Sequence, residues 1–525
     1  MTAATPYLRL PLAFDVERMR AELAAIGDDA WIEHYNTSAY ENGWRCVPLR
    51  SVDGRADHIM ALEDGAYRDT EWLARCPYLR EVIASFRCET TSVRLMALDA
   101  GAVVREHRDP GTAMEEGITR VHVPIATTPA ALMRIEGEPV HFAAGHAWYL
   151  NAACLHGVVN GGDTPRVHLM IDCVTNAWVE ELFREAGGVR QEPLTAHERS
   201  LLRGAPEPYA SGQDLRNWFP VTMTTGPRGE PQIGWRFMGE RPLAGAFFED
   251  SLAAQPHGER RVCHTPLQAL EVFDDSVAPT AIVLHVSRCG STLLTQMLAT
   301  SARWIVLSEP PALDAFLRFH QRDPAASGGA RSLRGFVAAL TQRRHGGERH
   351  AILKCDSWHM PWAAWLREQF PRTPIVLLYR DPAEVLLSHA RQRGRHMVPG
   401  LADTSRLQAD LQGVQPGDLD GYALRVLDAI FESAVQAAAL PGVRLVNYTQ
   451  LPGVVLDELL PQWGVACDAA ERDAMRARAA FHSKHPASRF DGDPAQAAGV
   501  REAAEGSRAA RSFEQLEALR LAARA

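Results

Sequence analysis

Residues 165–172 read PRVHLMID and residues 280–300 read TAIVLHVSRCGSTLLTQMLAT; the contrast between these two stretches decides the fold. In the first, Val167, Leu169 and Ile171 alternate with Arg166 and His168. Successive side chains of a strand point to opposite faces, so a period of two marks a half-buried antiparallel strand. In the second, the solid apolar run AIVLHV passes straight into a helical stretch. A strand buried on both faces and followed by a helix belongs to a parallel α/β sheet.

Working outward, each texture extends over its own region. SVRLMAL (92–98), TRVHVPIA (119–126) and HAWYL (146–150) repeat the alternation, which runs from about Tyr7 to Phe183. From about Pro279 the second texture takes over, with RWIVL entering SEPPALDAFLRF, then HAILK, TPIVLLY and GVRLV. Between them lies a stretch rich in Gly, Pro and charge. Its pieces NWFP, IGWRFMG and GAFFED are too apolar for a pure linker. The expected domains are therefore 1–185, a linker over 186–214, and 215–525. The Ala/Arg-rich tail after Pro494 is expected to form a helix of modest importance.

Composition narrows the function classes. A chain of 525 residues is too long for one ordinary domain, and 46% hydrophobic with 23% charged residues is a globular balance. A net charge of −9 argues against nucleic acid as a partner. No run of 18 apolar residues suits a membrane span, and MTAATPYLRL lacks the build of a signal peptide. Nine cysteines without a CxxC pair read as reduced thiols. A cytoplasmic location is expected; nothing in the residues fixes an oligomeric state.

In the first half, REHRDPG supplies His107 and Asp109, and NAACLHGVVN supplies His156. Two histidines and one carboxylate on one face of a metal leave three positions open, the facial arrangement of non-heme Fe(II) oxygenases. With 20 histidines, an H-x-D arises about once by chance, so its neighbours must carry the reading. Alternation aligns Arg166 with His168, and Arg120 with His122 opposite Val121, Val123 and Ile125. Two arginines pointing into a strand-built cavity are costly unless they meet anions. The anion is either a dicarboxylate co-substrate, which Arg grips bidentately, or an internal carboxylate among Glu106, Asp172 and Glu136.

At these residues the chain resembles the aspartyl/asparaginyl β-hydroxylase family of 2-oxoglutarate dioxygenases, in particular its small bacterial members that hydroxylate free proline. The resemblance spans about residues 7–185 and implies a double-stranded β-helix, a jelly-roll barrel, holding Fe(II). It also implies that His107, Asp109 and His156 ligate the iron, that Arg166 binds the distal carboxylate of 2-oxoglutarate, and that Arg120 and His122 lie near its other end. Arg94 would meet a substrate carboxylate.

In the second half, Ser287-Arg288-Cys289-Gly290-Ser291-Thr292 joins a strand to a helix start. Backbone N–H groups and the positive end of the helix dipole favour phosphate there. The Walker pattern GxxxxGK[ST] is absent, which disfavours a kinase or ATPase. Tyr379-Arg380-Asp381-Pro382 ends a later strand, with Ser388 on the helix after it. This pairing resembles the sulfotransferase family over roughly residues 215–500, and implies an α/β P-loop domain. Arg288, Gly290, Ser291 and Thr292 would cradle the 5′-phosphosulfate of 3′-phosphoadenosine-5′-phosphosulfate, and Arg380 and Ser388 would hold its 3′-phosphate. Glu309 in LSEPPALD is the candidate base, given a locally raised pKa, unless it only caps the following helix. Lys484 in FHSKHP is a further candidate donor contact, and Trp358, Trp362 and Trp365 read as packing residues.

One half would create a hydroxyl and the other consume one. The expected function is therefore a bifunctional hydroxylase and O-sulfotransferase acting on a small molecule, an amino acid or a derivative. The alternatives are a hydroxylase with a non-catalytic P-loop module, or with a kinase-like second half.

Overall fold

The computed structural model describes residues 5–35, 39–59, 66–109, 111–188, 207–210, 212–226, 229–243, 245–255, 261–415, 417–481 and 504–523. The chain packs as two compact units. One comprises Met1–Arg203 with Ala390–Ala402 and Leu411–Ala423; the other comprises Gly204–His389, Asp403–Asp410 and Leu424–Ala525. Lys484 lies outside the described residues.

The first unit is a jelly roll of two antiparallel sheets. The larger runs Tyr7–Ala13, His146–Leu150, Ile118–Ala126, Arg166–Val174, Thr90–Leu98, Trp44–Val52 and Ile32–Glu33, with Tyr67–Asp69 paired to Trp44–Val52. The smaller runs Glu138–Val140, Ala131–Ile135, His156–Asn160, Val103–His107 and Tyr40–Glu41. Alternation behaves as strand geometry requires. Val121, Val123, Ile125, Val167, Leu169 and Ile171 are buried in one core with Met19, Leu79, Val82, Leu182 and Phe183 of the covering helices. Each such side chain contributes about 1.5–3 kcal/mol on burial. The opposite face of the same strands carries Arg120, His122, Arg166, His168 and Asp172. A second apolar cluster, including Leu98, Val104, Met133, Phe142 and Val158, takes residues from both sheets.

In the second unit, five parallel strands lie in the order Trp304–Ser308, His350–Lys354, Pro279–His285, Ile375–Tyr379 and Val443–Asn447. Ile282, Val283, Leu284, Ile352, Leu353, Leu377 and Leu378 are all fully buried, as a sheet covered on both faces demands. The stretch that preceded it in the sequence reading contains a small antiparallel sheet: Trp218–Thr225, Pro231–Phe237 and Arg261–Pro266. The tail forms a helix, as expected. Its helix, Arg508–Ala522, is tied in through Glu517, which accepts from Tyr379 and from Asn447 Nδ2 (2.9 Å), and its first turn is held by Asp428 Oδ1 on Ala509 N (2.7 Å). All nine cysteines are free. Among the described residues, no helix is long and apolar enough to cross a membrane.

Candidate functional site

Register brings the first cluster together. Strand Val103–His107 pairs with His156–Asn160 so that His107 stands opposite His156, and their rings lie 4.4 Å apart. Asp109 follows two residues later, its N–H donating to Ala152 O at 2.8 Å. One ligand atom from each of His107, Asp109 and His156 falls within 4.8 Å of the others. His107 Nδ1 lies 2.8 Å from Arg105 O, and His156 Nδ1 lies 3.0 Å from Cys154 O. A carbonyl only accepts, so each Nδ1 carries the proton and each Nε2 keeps its lone pair free for a metal.

The two arginines predicted to meet anions have different fates. Arg120 donates through Nε and Nη2 to the two oxygens of Asp172 (2.8 and 3.1 Å) and through Nη1 to Asp109 Oδ2 (2.6 Å). Burial works against its charge, but Asp172 and Asp109 more than restore it. Of the anions open to Arg120, the internal carboxylate Asp172 is the one it meets in this structure. The strand register sets Arg120 opposite Asp172, so its charge is used inside the protein. Arg94 is also engaged, donating to Ile59 O (2.9 Å) and to Asp172 Oδ2 (3.4 Å).

Among the described residues, Arg166 meets no carboxylate. Its Nη2 donates to His168 Nδ1 at 2.9 Å and approaches Met133 Sδ at 3.1 Å, both uncharged partners. The residue is only 5% exposed. Burial alone pulls its pKa down to about 9, which still leaves it charged at neutral pH. Beside it, His168 Nε2 and both ring nitrogens of His122 are buried without a hydrogen-bond partner among the described residues. A buried cation and unpaired polar nitrogens in one apolar surround cost several kcal/mol together unless a ligand satisfies them. Sequence reasoning missed the aromatic group beside the metal cluster. His34 stacks on Trp44 at 3.7 Å, and its pKa is lowered to about 3 by burial and then by Arg94. No spacing in the sequence connects His34 to the H-x-D.

In the second unit the two phosphate-type motifs end adjacent parallel strands, Pro279–His285 and Ile375–Tyr379, which puts them at the same edge of the sheet. Arg380 Nη1 donates to Arg288 O at 3.3 Å, Nη2 pairs with Glu384 at 3.2 Å, and the guanidinium lies 4.3 Å over the Tyr448 ring. Ser388 is half-buried on the helix Pro382–Arg391. In the loop, Ser287, Arg288 and Gly290 all have positive φ. At Gly290 (φ +83°) a Cβ would come within 2.5 Å of Leu451 Cδ1 and 2.9 Å of Tyr448 Cδ2, so the position requires glycine. Ser291 and Thr292 open the helix Ser291–Leu298, both buried.

Lys354, which sequence reasoning did not single out, lies beneath this loop. Fully buried at the end of HAILK, its Nζ donates to Thr292 Oγ1 (3.0 Å), Ser308 Oγ (3.3 Å) and Glu309 Oε1 (2.7 Å). The register Ser308↔Lys354 makes this possible, and nothing local in the sequence signals it. Glu309 also meets His285 Nε2 at 3.3 Å. Burial raises its pKa, but Lys354 and His285 outweigh that and hold it well below the usual carboxylate range. The expected raised pKa is thus corrected: this carboxylate is the counter-ion of a buried ammonium. Trp358 donates to Asp314 Oδ1 (2.7 Å) and Trp365 stacks on His320 (4.5 Å), both packing roles.

The sequence profile of the aspartyl/asparaginyl β-hydroxylase family matches residues 13–176. Among curated relatives, L-proline cis-4-hydroxylase of Rhizobium meliloti (strain 1021) is 24% identical over 187 residues, which is 35% of this chain and 65% of that protein. L-proline cis-3-hydroxylase 1 of a Streptomyces species is 26% identical over 176 residues, covering 32% and 60%. The chain thus spans under two thirds of the length of these two relatives. Among solved structures, a 2OG-Fe(II) oxygenase family oxidoreductase from Burkholderia pseudomallei aligns over 33% of this chain and 86% of its own, at 12% identity and TM-score 0.24. The sulfotransferase STF1 from Mycobacterium tuberculosis H37Rv aligns over 43% and 80%, at 16% identity and TM-score 0.28. Structural likenesses this partial identify neither a family nor an activity. The sequence comparisons carry more: residues 13–176 are similar to the aspartyl/asparaginyl β-hydroxylases and to bacterial proline hydroxylases.

Proposed function

We propose that the first half of the chain is a hydroxylase that uses Fe(II), 2-oxoglutarate and O₂ on a free amino acid or a derivative. The observation that carries this is a two-histidine, one-carboxylate cluster sharing a strand-built interior with a buried guanidinium that has no carboxylate partner among the described residues. The donor set fits the metal, since both imidazoles present Nε2 and Asp109 has Oδ1 still facing His107 at 3.7 Å. Bound there, Fe(II) supplies O₂ activation coupled to oxidative decarboxylation of the 2-oxo acid. The chain's own residues do the rest. Arg120 occupies Asp109 Oδ2, leaving one carboxylate oxygen for the metal and fixing its direction. Arg166 receives the far carboxylate of the co-substrate, with His122 nearby. Phe142, Met133 and Val158 keep water from the interior. The relatives named above act on L-proline, which supports an amino acid as substrate class.

The second half, in this reading, is a sulfotransferase that takes 3′-phosphoadenosine-5′-phosphosulfate, with domains at 1–185 and 215–525 about a 186–214 linker. Arg288, the loop N–H groups and Thr292 hold the leaving 5′-phosphate, while Arg380 and Ser388 hold the 3′-phosphate. What supports it is the pairing of the SRCGST and YRDP motifs on neighbouring strand ends over a buried lysine. The hydroxyl made by one half then becomes the acceptor for the other. Two measurements on the full chain test the halves separately. Fe(II)-dependent succinate formation from 2-oxoglutarate, lost in His107→Ala, tests the first. Calorimetric binding of 3′-phosphoadenosine-5′-phosphate, lost in Arg288→Ala, tests the second. Binding of ATP with Mg²⁺ in place of that nucleotide would instead favour a kinase-like half.

A further inference from the structure

In the second half of the sequence, the helices Pro382–Arg391 and Leu419–Ala438 are joined by residues 392–418. Connections between helices ordinarily take about 2–8 residues, and long ordered ones are usually binding loops or lids. Most of this one, within Ala390–Ala402 and Leu411–Ala423, packs as part of the first unit. Its contacts there fall beside the metal face. Gly400 (φ +79°) packs against the His58 imidazole, where a Cβ would come within 2.5 Å of the ring. A Cβ on Gly417 would meet Ile32 Cγ1 at 3.6 Å. Ile32 and Ile59, the residue after His58, form one buried apolar cluster with Met96 and Met170. Met170 stands between His168 and Asp172 on the strand face that carries Arg166. Burial raises the pKa of Tyr35, packed on that cluster, and the Asp109 carboxylate adds to it. The cluster is therefore close to a metal ligand. Arg393 ties the two pieces of the connection together, its Nη1 donating to Leu419 O (3.1 Å) and its Nη2 pairing with Asp420. It also lies near Tyr40, whose phenol burial and Glu33 push up to about 12 while Arg393 acts against them. Tyr40 in turn packs edge-on against Trp44 (5.9 Å) and His34 (6.4 Å), the aromatic group beside the metal cluster.

We propose that residues 390–402 and 411–423 complete the substrate chamber of the hydroxylase and set part of its specificity. The chamber then draws on sequence far beyond the family-matched residues 13–176. This rests on the reading of the first half as an amino-acid hydroxylase and extends it to what holds the amino acid. Hydroxylation needs one C–H held still near the metal and bulk water kept away. The strands supply the metal and co-substrate side, and the connection supplies the wall along Ile32, His58 and Tyr40. Its two glycines bring backbone against His58 and Ile32 with no side chain between. From there the contacts run on to groups beside the metal cluster. The Ile59 carbonyl holds Arg94 (2.9 Å), and Tyr40 supports His34 and Trp44.

The test follows succinate formation by the Fe(II)-loaded full-length protein, titrated with an equimolar pool of the free proteinogenic amino acids. The wild-type protein is measured first. If the pool does not raise succinate formation, the amino-acid reading itself fails, and the proposal with it. Arg393→Met unties the two pieces of the connection, and Gly400→Val displaces His58. Each is expected to raise the pool concentration for half-maximal stimulation about 10-fold. Anaerobic 2-oxoglutarate binding, read from the visible absorption of the metal–2-oxo acid chelate, should be unchanged. In the metal-free protein, amide exchange in strands Ile32–Glu33 and Trp44–Val52 should quicken about 10-fold. If Gly400→Val does not fold by its thermal melt, Arg393→Met decides alone. A wild-type half-maximal concentration in the folded variants overturns the proposal, as does unchanged amide exchange. So does 2-oxoglutarate binding that weakens in step with the amino-acid response, since the connection would then only hold the fold together.

Discussion

Replacing Arg166 by methionine is expected to stabilise the protein in the absence of co-substrate while removing its response to 2-oxoglutarate. Burial lowers the guanidinium pKa from its usual value to about 9. At about 1.36 kcal/mol per tenfold, this caps the penalty at about 5 kcal/mol. The group stays charged at neutral pH in both folded and unfolded chains, so the penalty is fully present there. It would fade only as pH rises through about 9. Measured replacements of buried charge by apolar groups of similar volume return about 1–4 kcal/mol. Against this, His168 Nδ1 loses its donor, a cost of about 1 kcal/mol. The net gain is about 0–3 kcal/mol, at about 2–4 °C per kcal/mol for a unit of this size. Differential scanning calorimetry of the Fe(II)-loaded chain, with and without 2-oxoglutarate under argon, reads both effects. A variant that melts lower than wild type and still shifts upward with 2-oxoglutarate would refute the reasoning.

Three further outcomes follow from the same contacts. Asp172→Asn should cost about 3–5 kcal/mol in thermal unfolding, because it strips the counter-charge from buried Arg94 and leaves Arg120 only Asp109; a loss below about 1 kcal/mol would mean Arg94 repartners. In the second unit, Lys354→Met and Glu309→Gln should each destabilise by about 3–5 kcal/mol and the double variant by clearly less than their sum, a coupling a double-mutant cycle detects. Because Glu309 ionises well below the usual carboxylate range, its contribution to stability is present above its unfolded pKa and lost only as pH falls through the acid region. A pH–rate profile for sulfo transfer should therefore show no limb between about pH 5 and 8 that Glu309→Gln removes.

Much of the architecture was legible because it rests on periodicity. The alternation in 119–126 and 165–172 placed Val121, Val123, Leu169 and Ile171 on the core face and their charged neighbours on the other. The solid runs at 281–286 and 375–379 likewise marked strands of a parallel sheet. What escaped depends on contacts between distant segments. Whether Arg120 or Arg166 kept a free charge turned on the register of strand Arg166–Val174 against Ile118–Ala126, which pairs Asp172 with Arg120. Lys354 reaches Thr292 only because strand His350–Lys354 lies between Trp304–Ser308 and Pro279–His285. The small sheet over 218–266 was obscured by Pro220 and Pro231, residues that ordinarily argue against a strand interior.

The most direct test of the account is a mass-difference experiment on a pool of free amino acids incubated with the full-length protein. The mixture contains Fe(II), 2-oxoglutarate, ascorbate and 3′-phosphoadenosine-5′-phosphosulfate, each omitted in turn. One species should gain a single oxygen only with Fe(II) and 2-oxoglutarate, and a sulfo group on that same species only when the sulfur donor is added. An oxygen gain that persists without 2-oxoglutarate, or a sulfo gain on a molecule the iron-dependent step never touches, would contradict it.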